Sequence, residues 1–166
     1  MKSTVKKLLG DKIVSQLVSL KIKWFPNEFQ REIVRKQSDD FNRRKAFYST
    51  FVVHDDVCFD VGANVGNRVE PLLNIGARVV AVEPQESCYR ILKQKFGNKI
   101  EIVTKGLGET ESVKDFHISN DSTISSFSDE WINSVKEGRF KEYNWDKVVS
   151  IEMTTLDKLI EKYGLP

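Results

Sequence analysis

The chain has no long apolar run. No stretch of its 166 residues approaches the roughly 20 consecutive apolar residues needed to cross a bilayer. The first 25 residues also lack the apolar core of a secretory signal, because charged side chains interrupt it: Lys6, Lys7, Asp11, Lys12, Lys21 and Lys23. With 40% apolar and 30% charged residues, the composition is that of about one ordinary globular domain, and the cytoplasm is the expected location.

Cysteine is scarce as well. Cys58 and Cys88 are the two cysteines of the chain, and their spacing indicates neither a zinc site nor a disulfide framework. We expect both to be small buried hydrophobic residues, and we predict no metal site.

Positive charge is concentrated at the start. Residues 1–50 contain 12 Lys or Arg against 5 Asp or Glu, whereas residues 51–166 contain 14 against 19. Apolar residues from Val5 to Trp24 recur at helical spacing and predict an amphipathic helix, weakened near Gly10. That helix either packs on its own domain, the commoner outcome, or binds a membrane surface or an acidic substrate. A second helix is predicted around residues 29–36 and a third segment over residues 41–51.

Residues 57–67 join an apolar run, an aspartate and a glycine-spaced turn. The run suits a buried parallel strand with Asp60 at its carboxyl end, where ligands bind. Gly62 and Gly66 permit a tight turn with outward-pointing backbone N–H groups, and segment 67–75 can start a helix. The pattern predicts a nucleotide-like cofactor, with a carboxylate or phosphate favoured at the helix start.

A second apolar run, Arg78 to Val82, ends in Glu83 and Pro84. In dinucleotide-binding folds an acid about 20 positions beyond the glycine turn holds two ribose hydroxyls, and Glu83 follows Gly62 by 21 positions. The turn itself is different, because Gly-x-Gly-x-x-Gly would bring the backbone close to a pyrophosphate. A pyrophosphate site is therefore disfavoured.

The remaining elements follow from periodicity and turn residues. A helix from residue 87 to Gly97 precedes a third strand over residues 100–103, and right-handed crossovers would make the three parallel strands neighbours. Segments 113–118 and 148–154 alternate like half-exposed strands and are predicted to pair as a hairpin. Between them lie a polar loop, 119–128, and a short helix, 131–136; a capped helix follows over 154–160.

Asp-x-Gly-Ala-Asn-x-Gly over residues 60–66, followed by Val-Glu-Pro over residues 82–84, resembles the S-adenosylmethionine-dependent methyltransferases of the FkbM type. The resemblance covers roughly residue 47 to the end, including segments 47–50, 105–108 and 122–126. It implies an α/β fold: a Rossmann-like methyltransferase sheet with flanking helices over residues 51–166, after an N-terminal helical segment, a cap or lid, over residues 1–50.

The resemblance also implies S-adenosyl-L-methionine as cofactor and assigns residues to it. Its amino-acid end would be held by Asp60 and by the turn residues Gly62, Ala63, Asn64 and Gly66. Its ribose would be held by Glu83, beside Pro84, and its adenine would lie beside Gly106 and Leu107. Tyr48 and Phe51 either contact the cofactor from a lid or pack in the core. Ser122 and Thr123 either bind the acceptor or satisfy their own loop backbone.

A hydroxyl acceptor requires a base. The titratable groups near predicted loop or strand ends are His54, His117, Asp121 and Asp157. Nothing in the sequence places any of them within reach of a substrate, so the catalytic base is unknown.

Three functions fit these patterns. The first is methylation of a sugar or small-molecule hydroxyl, with no nucleic-acid partner. The second is a binding-only module without turnover, and the third is a nicotinamide-dependent oxidoreductase, which Gly62-Ala63-Asn64 in place of Gly-x-Gly disfavours.

The segment 163–166 reads as a link into a further strand. Proteins of the FkbM type typically continue there with an apolar strand that ends in an aspartate. The sheet is therefore expected to be incomplete at its C-terminal side, either in a fragment or in a protein whose free strand edge is covered by self-association or a partner.

Overall fold

The structure is a computed structural model that describes residues 28–166. The amphipathic helix predicted from Val5 to Trp24 lies outside the described residues. The chain divides after Arg43, and residues 44–166 form one compact unit. The boundary predicted at residue 50 stays a prediction. None of the described helices combines the length and the apolar character of a membrane span.

The first described element is a single helix, α1 (Glu28–Tyr48). The prediction of a helix over 29–36 and a separate segment over 41–51 is wrong, because one helix covers both ranges up to Tyr48. No glycine or proline occurs between Glu28 and Tyr48, so nothing in the backbone ends the helix earlier. An ion pair one turn apart, Lys36 to Glu32 at 2.9 Å, adds a small stabilisation.

Three parallel strands form the first sheet. They are β1 (Val57–Val61), β2 (Arg78–Val82) and β3 (Glu101–Val103), in the order β1-β2-β3. Phe59 is in register with Val80, and Ala81 with Ile102. The crossovers contain α2 (Val69–Ile75) and α3 (Glu86–Phe96), and a short 3-10 helix, Gly97–Lys99, follows. The predicted alternation of three strands and two helices is confirmed.

Both faces of this sheet are buried, as a continuous apolar strand requires. On one face, Val79 and Ala81 of β2 belong to a cluster with residues of α2 and α3, including the fully buried Val69 and Leu92. On the other face, Val80 and Val82 pack with Leu159. Leu159 belongs to α5 (Leu156–Tyr163), which begins with Thr155 as N-cap.

The second sheet consists of β4 (Gly106–Leu107), β5 (Val113–Ile118) and β6 (Lys147–Thr154), in the order β4-β6-β5. The predicted pairing of the two alternating segments is confirmed, because β5 is antiparallel to β6. Their connection is not a tight turn: it spans residues 119–146 and contains a 3-10 helix, Ser122–Ile124, and α4 (Asp129–Val135). β4, which the sequence does not predict as a strand, is parallel to β6.

Strand β1 pairs with β2 along one edge, and within residues 28–166 no strand pairs with its other edge. Backbone groups alternate in direction along a strand, so about half of those on β1 lack a ladder partner. The structure thus shows one free edge of this sheet in the described part, and the predicted incompleteness of the sheet at its C-terminal side stays a prediction. Whether self-association or a partner covers the edge stays a prediction.

Candidate functional site

A cavity of about 720 Å³ lies at the carboxyl ends of the parallel strands. Its walls include the residues that follow β1, the end of β2 with Glu83 and Pro84, and the residues of β4. The opposite wall comes from β5 and from the polar loop after it. A volume of this size is typical of small-molecule sites, and the position is the usual ligand site of a parallel α/β sheet.

The turn after β1 closes on the end of β2. All five backbone N–H groups from Gly62 to Gly66 donate within the protein. Gly62 and Ala63 donate to the Val82 carbonyl at 2.9 and 3.3 Å, and Asn64 donates to Glu83 Oε2 at 2.7 Å. Val65 donates to Asn64 Oδ1 at 2.8 Å, and Gly66 donates to the Ala63 carbonyl at 2.8 Å. The prediction that these groups point outward to a ligand is therefore wrong. None of these five backbone N–H groups is free to donate to a ligand.

Glu83 fixes this turn and also faces the cavity. Its Oε1 accepts the Gln85 N–H at 2.8 Å and its Oε2 accepts the Asn64 N–H, while the residue is 5% exposed. Burial raises the pKa of Glu83, and the two backbone hydrogen bonds act against that rise. Each carboxylate oxygen keeps a further lone pair with which it can accept another hydrogen bond.

Asn64 joins the turn to the polar loop. It has a left-handed backbone with φ of 48°, which asparagine tolerates, and its Nδ2 donates to Ser122 Oγ at 3.0 Å. Both residues line the cavity. The two segments lie 58 positions apart in sequence, so only the folded chain brings them together.

The two glycines of the turn have different surroundings. Gly62 has φ of +70°, lines the cavity and has no heavy atom within 4 Å of the position that a Cβ would take. Gly66 has φ of +85°, but a Cβ there would lie 2.4 Å from the Phe96 ring and 2.9 Å from Leu92. Gly66 does not line the cavity; it allows the turn to pack on α3.

Asp60 lies beneath the turn and does not line the large cavity. It borders a neighbouring cavity of about 330 Å³, together with Tyr48 and Phe51. Its Oδ1 lies 3.4 Å from Arg68 Nη1, and its buried Oδ2 has no hydrogen-bond partner. Arg68 borders both cavities. Burial raises the pKa of Asp60, and the nearby guanidinium offsets the rise only in part.

The raised pKa of Asp60 predicts that its ionised form destabilises the fold. A folded-state pKa above the ordinary value of 3.8 means that the folded chain holds the proton more tightly, so stability falls as pH rises through that interval. We expect Asp60→Asn to have a higher Tm than the wild type at pH 7, with a smaller difference at pH 4. Thermal unfolding at both pH values measures this.

The exposed Asp146 provides the control as Asp146→Asn. Its difference from the wild type should stay within about 0.5 kcal/mol at both pH values. An Asp60→Asn variant that is less stable than the wild type at pH 7 would mean that the carboxylate makes a stabilising contact.

The other predicted site residues divide between the two cavities. Gly106 and Leu107 line the large cavity, and a Cβ at Gly106 would lie 2.4 Å from Met153 Sδ, so that glycine also permits close packing of β4. Tyr48 and Phe51, predicted as lid or core residues, line the smaller cavity and pack edge to face with ring centroids 6.1 Å apart.

The polar loop lines the cavity, but much of its hydrogen bonding is internal. Thr123 Oγ1 donates to Asp121 Oδ1 at 2.7 Å, whereas Ser122 is held by Asn64. Three further serines of the loop, Ser125, Ser126 and Ser128, also face the cavity. Ser122 and Thr123 therefore line the cavity and also support the loop, and their binding of an acceptor stays a prediction.

None of the titratable groups considered as a base lines the large cavity. His117 Nε2 lies 2.9 Å from Asp129 Oδ1, and His54 Nδ1 lies 2.9 Å from Asp55 Oδ2. Asp121 caps the 3-10 helix at Thr123. Their positions favour structural roles for these three groups.

Several cavity residues were not predicted from the sequence. Their side chains are cationic, amide or aromatic: Arg44, Asn67, Arg68, Lys105, Lys114, Phe116 and Phe127. The two-residue period of β5 could have placed Lys114 and Phe116 on one face, but the sequence offers no local signal for the two arginines.

The family model described as the methyltransferase FkbM domain matches residues 60–166, more than half of the chain. The chain belongs to the FkbM methyltransferase family. S-adenosylmethionine is the cofactor of that family, as the resemblance implies. The match begins at Asp60 and includes every cofactor and acceptor residue assigned above from the sequence.

Among solved structures, the FkbM domain is similar to the plantazolicin methyltransferase BpumL, crystallised in complex with a monoazolic desmethylPZN analog and SAH. The identity is 18% and the TM-score 0.30, with 60% of this chain and 44% of that chain covered. The chain thus spans less than half of that protein. The comparison with curated proteins gives no significant match.

Proposed function

We propose that this FkbM domain binds S-adenosylmethionine in the large cavity and transfers its methyl group to a hydroxyl oxygen of a sugar or other small molecule. The observation that carries the proposal is the position of Glu83, a buried carboxylate at the end of β2 that faces the cavity beside the open turn at Gly62. The residues present fit an adenosine group: a carboxylate for the ribose hydroxyls, and Pro84 and Leu107 as apolar wall.

The proposed roles follow from these positions. Glu83 would hold the ribose, and Gly62 to Asn64 would lie against the amino-acid end without offering backbone donors. Gly106 and Leu107 would lie beside the adenine. Asp60, which borders only the smaller cavity, would act on the amino-acid end through Arg68, which borders both cavities. Gly66 would support the turn by allowing it to pack on α3. When bound, the cofactor supplies the activated methyl group.

The acceptor is proposed to bind on the side of the polar loop. Ser122 lines the cavity and is oriented by Asn64, and Thr123 is held by Asp121, so both are fixed where an acceptor could be hydrogen-bonded. Positioning of this kind supplies much of the rate of a transfer reaction, up to roughly 7–11 kcal/mol in favourable cases.

Cofactor identity separates a methyltransferase from an oxidoreductase. We expect the purified chain to bind S-adenosylhomocysteine saturably in a calorimetric titration and to give no heat of binding with NADH. Binding of NADH alone would favour an oxidoreductase. A chain that unfolds cooperatively but binds neither ligand would contradict the proposal, and thermal unfolding of the same sample establishes whether the chain is folded.

A further inference from the structure

The large cavity has an excess of cationic side chains. Arg44, Arg68, Lys105 and Lys114 line it, and among the described lining residues Glu83 is the one acid. Glu83 is buried, and both of its oxygens already accept backbone N–H groups. Apart from Glu83, the charged residues of the lining are all cationic.

Acids outside the lining compensate cations of the wall, and both Arg44 and Arg68 act on Asp60. Arg68 lies beside Asp60, and Lys105 Nζ lies 2.9 Å from Glu152 Oε2. Lys114 is different, because it forms no ion pair with any residue of the described part of the chain. It lies on β5 two residues before the buried Phe116, and both side chains face the cavity.

The serines that line the cavity together with Lys114 add hydrogen-bond donors. Their oxygens already accept backbone N–H groups: Ser125 from Ser119 at 3.0 Å, Ser126 from Ser128 at 3.0 Å, and Ser128 from Trp131 at 3.1 Å. A hydroxyl whose oxygen accepts one hydrogen bond still has its O–H hydrogen to donate. This side of the cavity therefore favours a ligand that is rich in acceptors.

Backbone donors at the glycine turn are not available for an anion, since all five N–H groups from 62 to 66 are used internally. A negatively charged ligand would have to be held by side chains. An oxyanion would pair with the exposed ammonium of Lys114 and would offset the positive charge that the sulfonium of the proposed cofactor adds to the cavity, whereas a neutral acceptor would do neither.

We propose that the methyl acceptor is an anionic molecule whose carboxylate or phosphate group binds Lys114 and the serine hydroxyls of segment 125–128. This inference rests on the proposed function and gives the substrate class of the same site. The group is an anchor for the acceptor molecule, which presents its hydroxyl elsewhere in the cavity.

The test uses the full chain and begins with its affinity for S-adenosylhomocysteine. The saturated protein is then titrated with glucuronate, glucose 6-phosphate and glucose, while the backbone amide signals of Lys114, Phe116 and segment 125–128 are followed by NMR. We expect saturable shifts with at least one of the two anions and weaker or no shifts with glucose. The two anions distinguish a carboxylate anchor from a phosphate anchor.

Lys114→Gln should weaken anion binding by roughly two- to fivefold, because it removes one charge-assisted contact at an exposed site, and it should leave the S-adenosylhomocysteine affinity unchanged. Lys147→Gln, an exposed lysine of β6 outside the cavity lining, is the matched control and should change neither affinity.

Three results would overturn the inference: no binding of either anion, glucose binding as tightly as the anions, or an equal loss of S-adenosylhomocysteine affinity in Lys114→Gln. The last result would assign Lys114 to the carboxylate of the cofactor. A wild-type chain that does not bind S-adenosylhomocysteine would instead contradict the proposed function, and the anion titration of that chain would still test the cationic wall.

Discussion

Replacing Glu83 by alanine is expected to weaken S-adenosylhomocysteine binding by roughly 10- to 100-fold. Hydrogen bonds to a charged group contribute about 1.5–3 kcal/mol, and the ribose contacts proposed for Glu83 would be lost together. The variant also leaves the N–H groups of Asn64 and Gln85 without their acceptor. A lower Tm should accompany the weaker binding, because unpaired buried N–H groups cost about 1–3 kcal/mol each.

Loss of affinity alone would not separate the ribose contact from support of the turn. A second ligand does so: methylthioadenosine has the ribose but lacks the amino-acid end. If Glu83 holds the ribose, Glu83→Ala should weaken both ligands by a similar factor in calorimetry. A loss confined to S-adenosylhomocysteine would mean that Glu83 acts only through the turn.

The matched control is Glu86→Ala. Glu86 is an exposed glutamate in the first turn of α3, ion-paired with Arg90 one turn later, and it does not line the cavity. We expect unchanged affinity for both ligands in that variant. An unchanged affinity in Glu83→Ala would remove Glu83 from the cofactor site.

The parallel sheet could be predicted from the sequence because its signals are local. The apolar runs before Asp60 and Glu83 are short, continuous and followed by glycine or proline, which is typical of buried parallel strands. β4 could not be predicted in this way, since two residues have no periodicity. It exists because Gly106 and Leu107 pair with the end of β6, 47 positions later.

The turn shows the limit of local reasoning within the site. Its glycines correctly indicate a tight turn, but the direction of its N–H groups depends on acceptors about 20 positions away, the Val82 carbonyl and the Glu83 carboxylate. The anion site that the turn pattern suggests is therefore occupied by the protein itself. For Lys114, the sequence predicted the strand but not the cavity that the side chain faces. That cavity forms only when β5 pairs with β6 in the folded chain.

Gly66→Ala is expected to destabilise the fold by about 2–5 kcal/mol. A left-handed backbone costs an L-residue roughly 1–2 kcal/mol, and overpacking a well-packed site costs about 1–3 kcal/mol. Both apply here, because Gly66 has φ of +85° and a Cβ would lie 2.4 Å from the Phe96 ring, next to the fully buried Leu92. Thermal unfolding should show a Tm lowered by roughly 10 °C.

Gly62→Ala is the control that separates strain from packing. Gly62 has a similar φ of +70°, but no atom lies within 4 Å of its Cβ position, so only the backbone strain of about 1–2 kcal/mol applies. Its methyl group would project into the cavity, and S-adenosylhomocysteine affinity should fall more than stability does. Equal Tm losses in the two variants would show that α3 shifts to accommodate the methyl group at position 66. Backbone strain alone would then account for the loss of stability. The greater stability loss in Gly66→Ala, together with the greater affinity loss in Gly62→Ala, would assign the first glycine of the motif to the ligand and the second to the fold.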